Sequence, residues 1–250
     1  MTLTTILGLW LLVTGPMALL SLGLAPILIA QNPGIQPGLI FWGTIILGMA
    51  WQTIVSLGVL MAEGQRWTWA ALRRRLWLRT LRDPLTGRRV AHWLCPIVCF
   101  GLIFVFASDP AFAWLDRAVA SLLPGWMKPA YGDITLLATP QNTGNWALVG
   151  IALISCLFNY VLGEAFFFHG ILLPRMEGVF GRWAWLANAV LFGGYHVHKA
   201  VVLPTMIISC LAYSLPAQYT RSLWPALLIH GLEGVVLMAA VMFVVLGGAQ

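Results

Sequence analysis

Apolar residues in this chain come in runs too long for the buried helices of a water-soluble domain. Seven stand out, at roughly 5–30, 38–62, 91–107, 145–173, 184–197, 200–216 and 222–247. Most are near the 17 to 25 residues that cross about 30 Å of hydrocarbon as a helix. The pattern predicts an all-α, polytopic membrane bundle of about seven transmembrane helices. The runs at 184–197 and 200–216 are short, and short spans are expected where protein rather than lipid surrounds the backbone. The first run has no Lys or Arg ahead of it and continues past Pro16 and Gly23, which reads as a spanning helix rather than a cleaved signal peptide. No tandem repeat or low-complexity tract interrupts the pattern, so residues 1–250 are expected to form one membrane domain.

Composition agrees with this pattern. Of the 250 residues 60% are apolar and only 9% charged, against about 25% charged in a soluble domain. The net charge of +6 raises nucleic acid as a partner, but eight of the fourteen basic residues lie between Arg66 and Arg89 in one interhelical loop. That placement is membrane topology, and nucleic-acid binding is excluded as a reading. Loop 63–90 is expected on the cytoplasmic membrane surface, with arginines toward anionic head groups and Trp67, Trp69, Leu72, Leu76, Trp77 and Leu81 toward acyl chains. Alternation of the helices then places Arg175, Arg182 and Arg221 on that side, and Arg117, Lys128 and Lys199 on the other. The asymmetry predicts an integral protein of a bacterial inner (cytoplasmic) membrane, with the N-terminus and loop 63–90 cytoplasmic. Segment 108–144 is expected outside, with an interfacial helix in FAWLDRAVASLLPGW. The thirteen tryptophans suit interfaces with lipid, pigment or an integral membrane partner. Four cysteines in apolar segments have no metal-binding spacing and read as packing residues.

Against that background the titratable residues inside the runs need explaining. GEAFFFHGILLP places Glu164 about ten residues, or about 15 Å, from the end of its helix. A carboxylate at such depth costs about 2.5 kcal/mol or more unless it is shielded. His196 and His230 fall at similar depth on two other predicted helices, and three such groups on three helices read as a site rather than as separate packing residues. His198 is two residues, about 200° of helix, from His196 and is expected near the interface. His169 is about 140° from Glu164, beside the site, and His92 is expected at the interface. Glu233 shares the face of His230 and is placed to hydrogen-bond its ring or enter the cavity.

A carboxylate and an imidazole flanking a water can deprotonate it as it attacks a carbonyl, and a second imidazole can stabilise the oxyanion. Glu164 then serves as general base, His196 as its partner in holding water and His230 as oxyanion donor; this reading requires no cofactor. The same three residues also suit a divalent metal such as zinc with water in an open position. The sequence leaves these alternatives open. Too few interior acids are present for a diiron carboxylate bundle, and no serine or cysteine has an evident base partner.

Three motifs now resemble one family, the CAAX prenyl protease and bacteriocin-processing (CPBP, Abi) intramembrane proteases. GEAFFFHGILLP resembles a first motif Glu-Glu-x-x-x-Arg, FGGYH at Phe192 to His196 matches a second, Phe-x-x-x-His, and TRSLWPALLIH resembles the approach to a third, in which a helical His is followed four residues later by Asn. The resemblance covers about 145–240. It implies a helical membrane bundle with a cytoplasm-facing cavity, and an intramembrane endopeptidase acting on membrane-associated or prenylated peptides. Glu164, His196 and His230 are its catalytic positions, with His169, Phe192 and Glu233 supporting. Some members of the family are classed as metalloproteases. Three motif positions differ: Ala165 replaces the second Glu, His169 the Arg and Gly234 the Asn. These changes leave a second class of function, a catalytically silent relative that binds or assembles another membrane protein.

Overall fold

The computed structural model describes residues 1–64 and 66–248; Gln65 of the arginine-rich loop and the last two residues of the expected domain lie outside that description. The fold is all-helical, and six continuous runs are long and apolar enough to cross a membrane. One, Ala147–Tyr195, has 49 residues, more than twice what a single crossing uses. It reverses at Gly181, whose φ of 53° lies in the left-handed region that a glycine adopts without penalty. Among the described residues this gives seven apolar helical segments, in line with the about seven that the hydropathy pattern predicts.

We number the helices α1 (Leu3–Gln31), α2 (Pro37–Ala62), α3 (Trp69–Arg75), α4 (Leu94–Leu122), α5 (146–180), α6 (Ala184–Tyr195), α7 (Val197–Thr220) and α8 (Trp224–Val245). Large apolar side chains cover the outside of the bundle, including Leu19, Phe100 and Phe243, while Met17, Met49, Phe167, Phe168, Phe192, Tyr195 and Ile229 fill the inside. An apolar exterior this extensive is what lipid solvates.

Helix α4 differs from expectation. It runs unbroken through Pro110 to Leu122, so there is no separate interfacial helix at 112–126. Side-chain bonds tie its far half to α7: Ser108 Oγ to Ser209 Oγ at 2.6 Å, and Thr205 N–H to Asp116 Oδ1 at 3.1 Å.

Loop 63–90 is also corrected. Its apolar residues turn into the protein rather than toward acyl chains, with Leu76, Trp77 and Leu81 all buried; Trp67 and Trp69 alone among its tryptophans stay exposed. The cause is backbone pairing with the turn between α7 and α8. Leu223 N–H donates to the Trp77 carbonyl at 2.9 Å, Arg82 N–H to the Thr220 carbonyl at 3.0 Å and Ser222 Oγ to the Arg79 carbonyl at 2.6 Å. Buried peptide groups need such partners, so the segment docks and takes its side chains with it. Trp77 sits at φ 56° to achieve this.

One carboxylate fastens the loop to α5. Glu63 accepts from Arg75 Nε at 2.9 Å and also pairs with Arg175, and Arg75 Nη1 reaches the Gly170 carbonyl at 3.3 Å. Burial lowers the Arg75 pKa, opposed by the hydrogen bond and charge of Glu63. Glu63→Gln leaves two guanidiniums facing one neutral group, and should cost about 1.5–3 kcal/mol. Thermal melting in detergent checks this: the variant melts several degrees below the parent.

Candidate active site

The site is built on α5, whose middle departs from α geometry. Residues Leu157–Gly163 and Ala165–Leu172 bond i→i+5 on either side of Glu164, a widened turn that often marks functional positions. Gly163 explains where it can form: a Cβ there would lie 2.2 Å from the Phe158 carbonyl of the preceding turn, so only glycine fits this backbone, and the Met49 carbonyl of α2, at 3.1 Å from the same point, adds to the crowding.

The structure brings Glu164, His196 and His230 together, all buried. His230 Nε2 is 3.1 Å from Glu164 Oε2, and His196 Nε2 is 3.6 Å from Glu164 Oε1. Each carboxylate oxygen thus faces its own imidazole. On the far side of His230, Nδ1 meets Glu233 Oε2 at 2.7 Å, and Tyr213 donates its hydroxyl to Glu233 Oε1, also at 2.7 Å. His230 lies between two carboxylates, and both contacts are hydrogen bonds when the ring holds both protons. His196 Nδ1 is fixed on the Phe192 carbonyl at 3.0 Å, which leaves Nε2 toward the glutamate. Phe192 packs its ring against His196 and His230 at centroid distances of 5.2 and 5.9 Å.

These groups line a cavity of about 240 Å³ that also receives Asn159, Tyr160, His198, Lys199, Cys210 and Tyr213. Its lining extends to Asp109, Lys199 and Val236 and includes no residue of loop 63–90. Leu76, Trp77 and Leu223 belong to the same buried core as Phe168 and Ile171. The lining thus runs toward Asp109 and Lys199 rather than toward the arginine-rich loop.

Two placements differ from helical-wheel reasoning. His198 lines the same cavity as His196, with their ring centroids 5.6 Å apart. The reason is that α6 ends at Tyr195 and the chain continues in a tighter 3₁₀ turn, so the 200° separation never applies. His169 is nearer the Glu164 face than 140°, because the widened turn reduces the rotation per residue. Its Nε2 is nonetheless 3.3 Å from Ser214 Oγ, beside the site, and Ser214 in turn donates to Asn188 Oδ1 at 2.8 Å. His92 is exposed where loop 63–90 meets α4.

Asn159, Tyr160 and Tyr213 were missed by sequence reasoning. With its amide nitrogen facing the acceptors, Asn159 donates to Glu164 Oε2 at 2.9 Å. Five-residue spacing to an interior glutamate is a signal only once the widened turn is known. Tyr160 explains one altered motif position. A Cβ at Gly234 would fall 2.5 Å from the Tyr160 ring, which stands edge-on to His230 at 4.8 Å, so the tyrosine fills the space that an asparagine at 234 would need.

A metal would need these donors to converge on one point. Among the described residues no group of three His, Cys, Asp or Glu is arranged to hold an ion. The two oxygens of Glu164 are directed to separate imidazoles rather than converging with them on one point.

No curated protein and no solved structure matches the chain. A family model does match, over residues 144–245, and its description is Rce1-like, type II CAAX prenyl endopeptidase. The matched segment contains the whole of α5 to α8 and all three central side chains, so the resemblance carried by the sequence motifs holds: over residues 144–245 this integral membrane chain is similar to the Rce1-like type II CAAX prenyl endopeptidases.

Proposed function

We propose that the chain is an intramembrane endopeptidase of the CAAX type, hydrolysing a peptide bond in a membrane-associated or prenylated substrate. The observation that carries this reading is the position of the Glu164 carboxylate between two imidazoles in a cavity inside the membrane. The 3.6 Å separation from His196 is too long for a strong direct hydrogen bond, which leaves both groups able to turn to one attacking water. Glu164 removes a proton from that water as its oxygen attacks the carbonyl carbon, and His196 holds the water in line. His230 transfers its Nε2 proton contact from Glu164 to the developing oxyanion while Glu233 and Tyr213 hold the ring. The tetrahedral intermediate collapses with cleavage of the C–N bond, and Glu164 returns its proton to the leaving amine. A carboxylate and an amine result, and no step passes through a metal or cofactor.

Two measurements test these roles. Tyr213→Phe removes a hydrogen bond to a charged group, worth about 1.5–3 kcal/mol, and should lower kcat about tenfold to a hundredfold with little change in KM. Excess chelator should leave hydrolysis of a farnesylated C-terminal peptide at its untreated rate; loss of activity restored by zinc would instead make Glu164, His196 and His230 metal ligands. The arginine distribution supports a cytoplasmic position for loop 63–90 in a bacterial inner membrane. A protease-protection assay on tagged termini tests that orientation.

A further inference from the structure

We propose that a second pocket, between the 82–89 hairpin and the turn at 218–221, binds a phosphate ester carried by the headgroup of an anionic phospholipid. This pocket lies at the end of the bundle away from Asp109 and Lys199 and is independent of the hydrolytic reading. It has a volume of about 540 Å³ and is lined by Arg79, Arg82, Arg182 and Arg221, with Asp83 and Glu177 as its acids.

The two acids do not neutralise the four guanidiniums. Asp83 accepts from the backbone N–H groups of Leu85 and Thr86 at 2.8 and 3.1 Å, which holds the hairpin turn. Glu177 approaches Arg221 only to 3.7 Å. Arg79 spends Nε on the Arg221 carbonyl, and among the described residues no protein acceptor takes its Nη donors. Arg182 lies over the Trp183 ring at 5.1 Å, and no hydrogen bond from its guanidinium to another of the described residues is seen. Burial, then the positive charges of Arg82 and Arg221, lower the Arg79 pKa. Like charges held this close are relieved by an anion with several acceptor oxygens, and planar guanidiniums match phosphate. An adjoining cleft of about 270 Å³ adds Arg73 and Arg89 with no carboxylate in its lining.

The walls are fixed rather than loose. Gln218 donates to the Gly181 carbonyl at 3.0 Å and accepts from Trp185 N–H, joining the two interhelical turns, while Arg82 N–H on Thr220 ties the hairpin to the same turn. The surroundings select the source of the phosphate. Trp69, Trp183, Tyr219 and Trp224 are exposed around this end of the bundle, and exposed Trp and Tyr mark the head-group level of a bilayer.

The test uses the full chain in a neutral maltoside detergent, titrated separately with phosphatidylglycerol, phosphatidylcholine and glycerol 3-phosphate, with binding followed by native mass spectrometry. Phosphatidylglycerol should bind saturably and phosphatidylcholine, whose phosphate is already offset by its ammonium, should not. Arg82→Gln with Arg182→Gln should weaken phosphatidylglycerol about tenfold or more, while Arg117→Gln at the opposite end should change it less than about twofold. Both pocket arginines are exposed, and the charge-retaining pair Arg82→Lys with Arg182→Lys separates lost charge from lost fold. Saturable binding of glycerol 3-phosphate, abolished by the same glutamines, would keep the phosphate site but assign a soluble source. Equal phosphatidylglycerol affinity in the parent and the glutamine double variant would overturn the proposal.

Discussion

Glu164→Gln should lower kcat by about 10²–10⁴-fold, the usual contribution of a positioned general base, which is about 3–5 kcal/mol of transition-state stabilisation. Glutamine keeps the size of the side chain and one oxygen to accept from His230, now 3.1 Å from Glu164 Oε2. It removes the ability to accept a proton from water. Melting temperature and KM should therefore stay close to the parent while turnover collapses. The split between kcat and KM is what separates a base from a residue that only packs. A parallel loss of folding would point instead to a structural carboxylate, because a charge buried among His196, His230 and Asn159 is costly to leave without its partners.

Gly193→Ala should damage both packing and the site, because the added methyl meets main chain. A Cβ at Gly193 would lie 2.4 Å from Ile207 Cγ1, 2.6 Å from its Cα and 2.9 Å from its nitrogen. Two of these atoms are backbone, so no rotamer change relieves the contact and α6 must move away from α7. Overpacking of this kind costs about 1–3 kcal/mol, and the upper end applies when main chain is displaced. His196 follows three residues later and its backbone N–H donates to the Gly193 carbonyl at 2.9 Å, so a shift of α6 carries the imidazole away from Glu164. Both stability and turnover should fall. Gly194→Ala is the matched control: its Cβ would meet only the Trp10 ring at 3.5 Å, an ordinary contact. That variant should stay within about 0.5 kcal/mol of the parent. Thermal melts of the two alanines side by side check the pair.

Much of the fold is legible in hydropathy, because a span must satisfy its backbone internally and present apolar side chains to lipid. The reversal at Gly181 and the seven apolar helical segments follow from run lengths alone. Depth reasoning likewise places Glu164, His196 and His230 at one level, since it depends only on rise per residue. What the sequence does not reveal is local winding. The i→i+5 stretch around Glu164 changes which residues share a face, which hides Asn159 and turns His169 nearer the Glu164 face than its apparent angle. The end of α6 at Tyr195 brings His198 into the cavity against its apparent angle. Loop 63–90 reads as a surface segment because its arginines dominate; its docking depends on backbone groups of the 220–223 turn that no side-chain pattern encodes. Gly234 reads as the loss of a donor, whereas the structure pairs it with Tyr160 in one packing solution.

The most direct test is to reconstitute the full chain in liposomes in ¹⁸O-labelled water, add peptides bearing a farnesylated C-terminal cysteine motif, and weigh the products. Parent protein should release a fragment whose new carboxylate carries one ¹⁸O from solvent, and Glu164→Gln should release almost none. No labelled fragment from the parent, or equal amounts from both proteins, would contradict water activation by the buried glutamate.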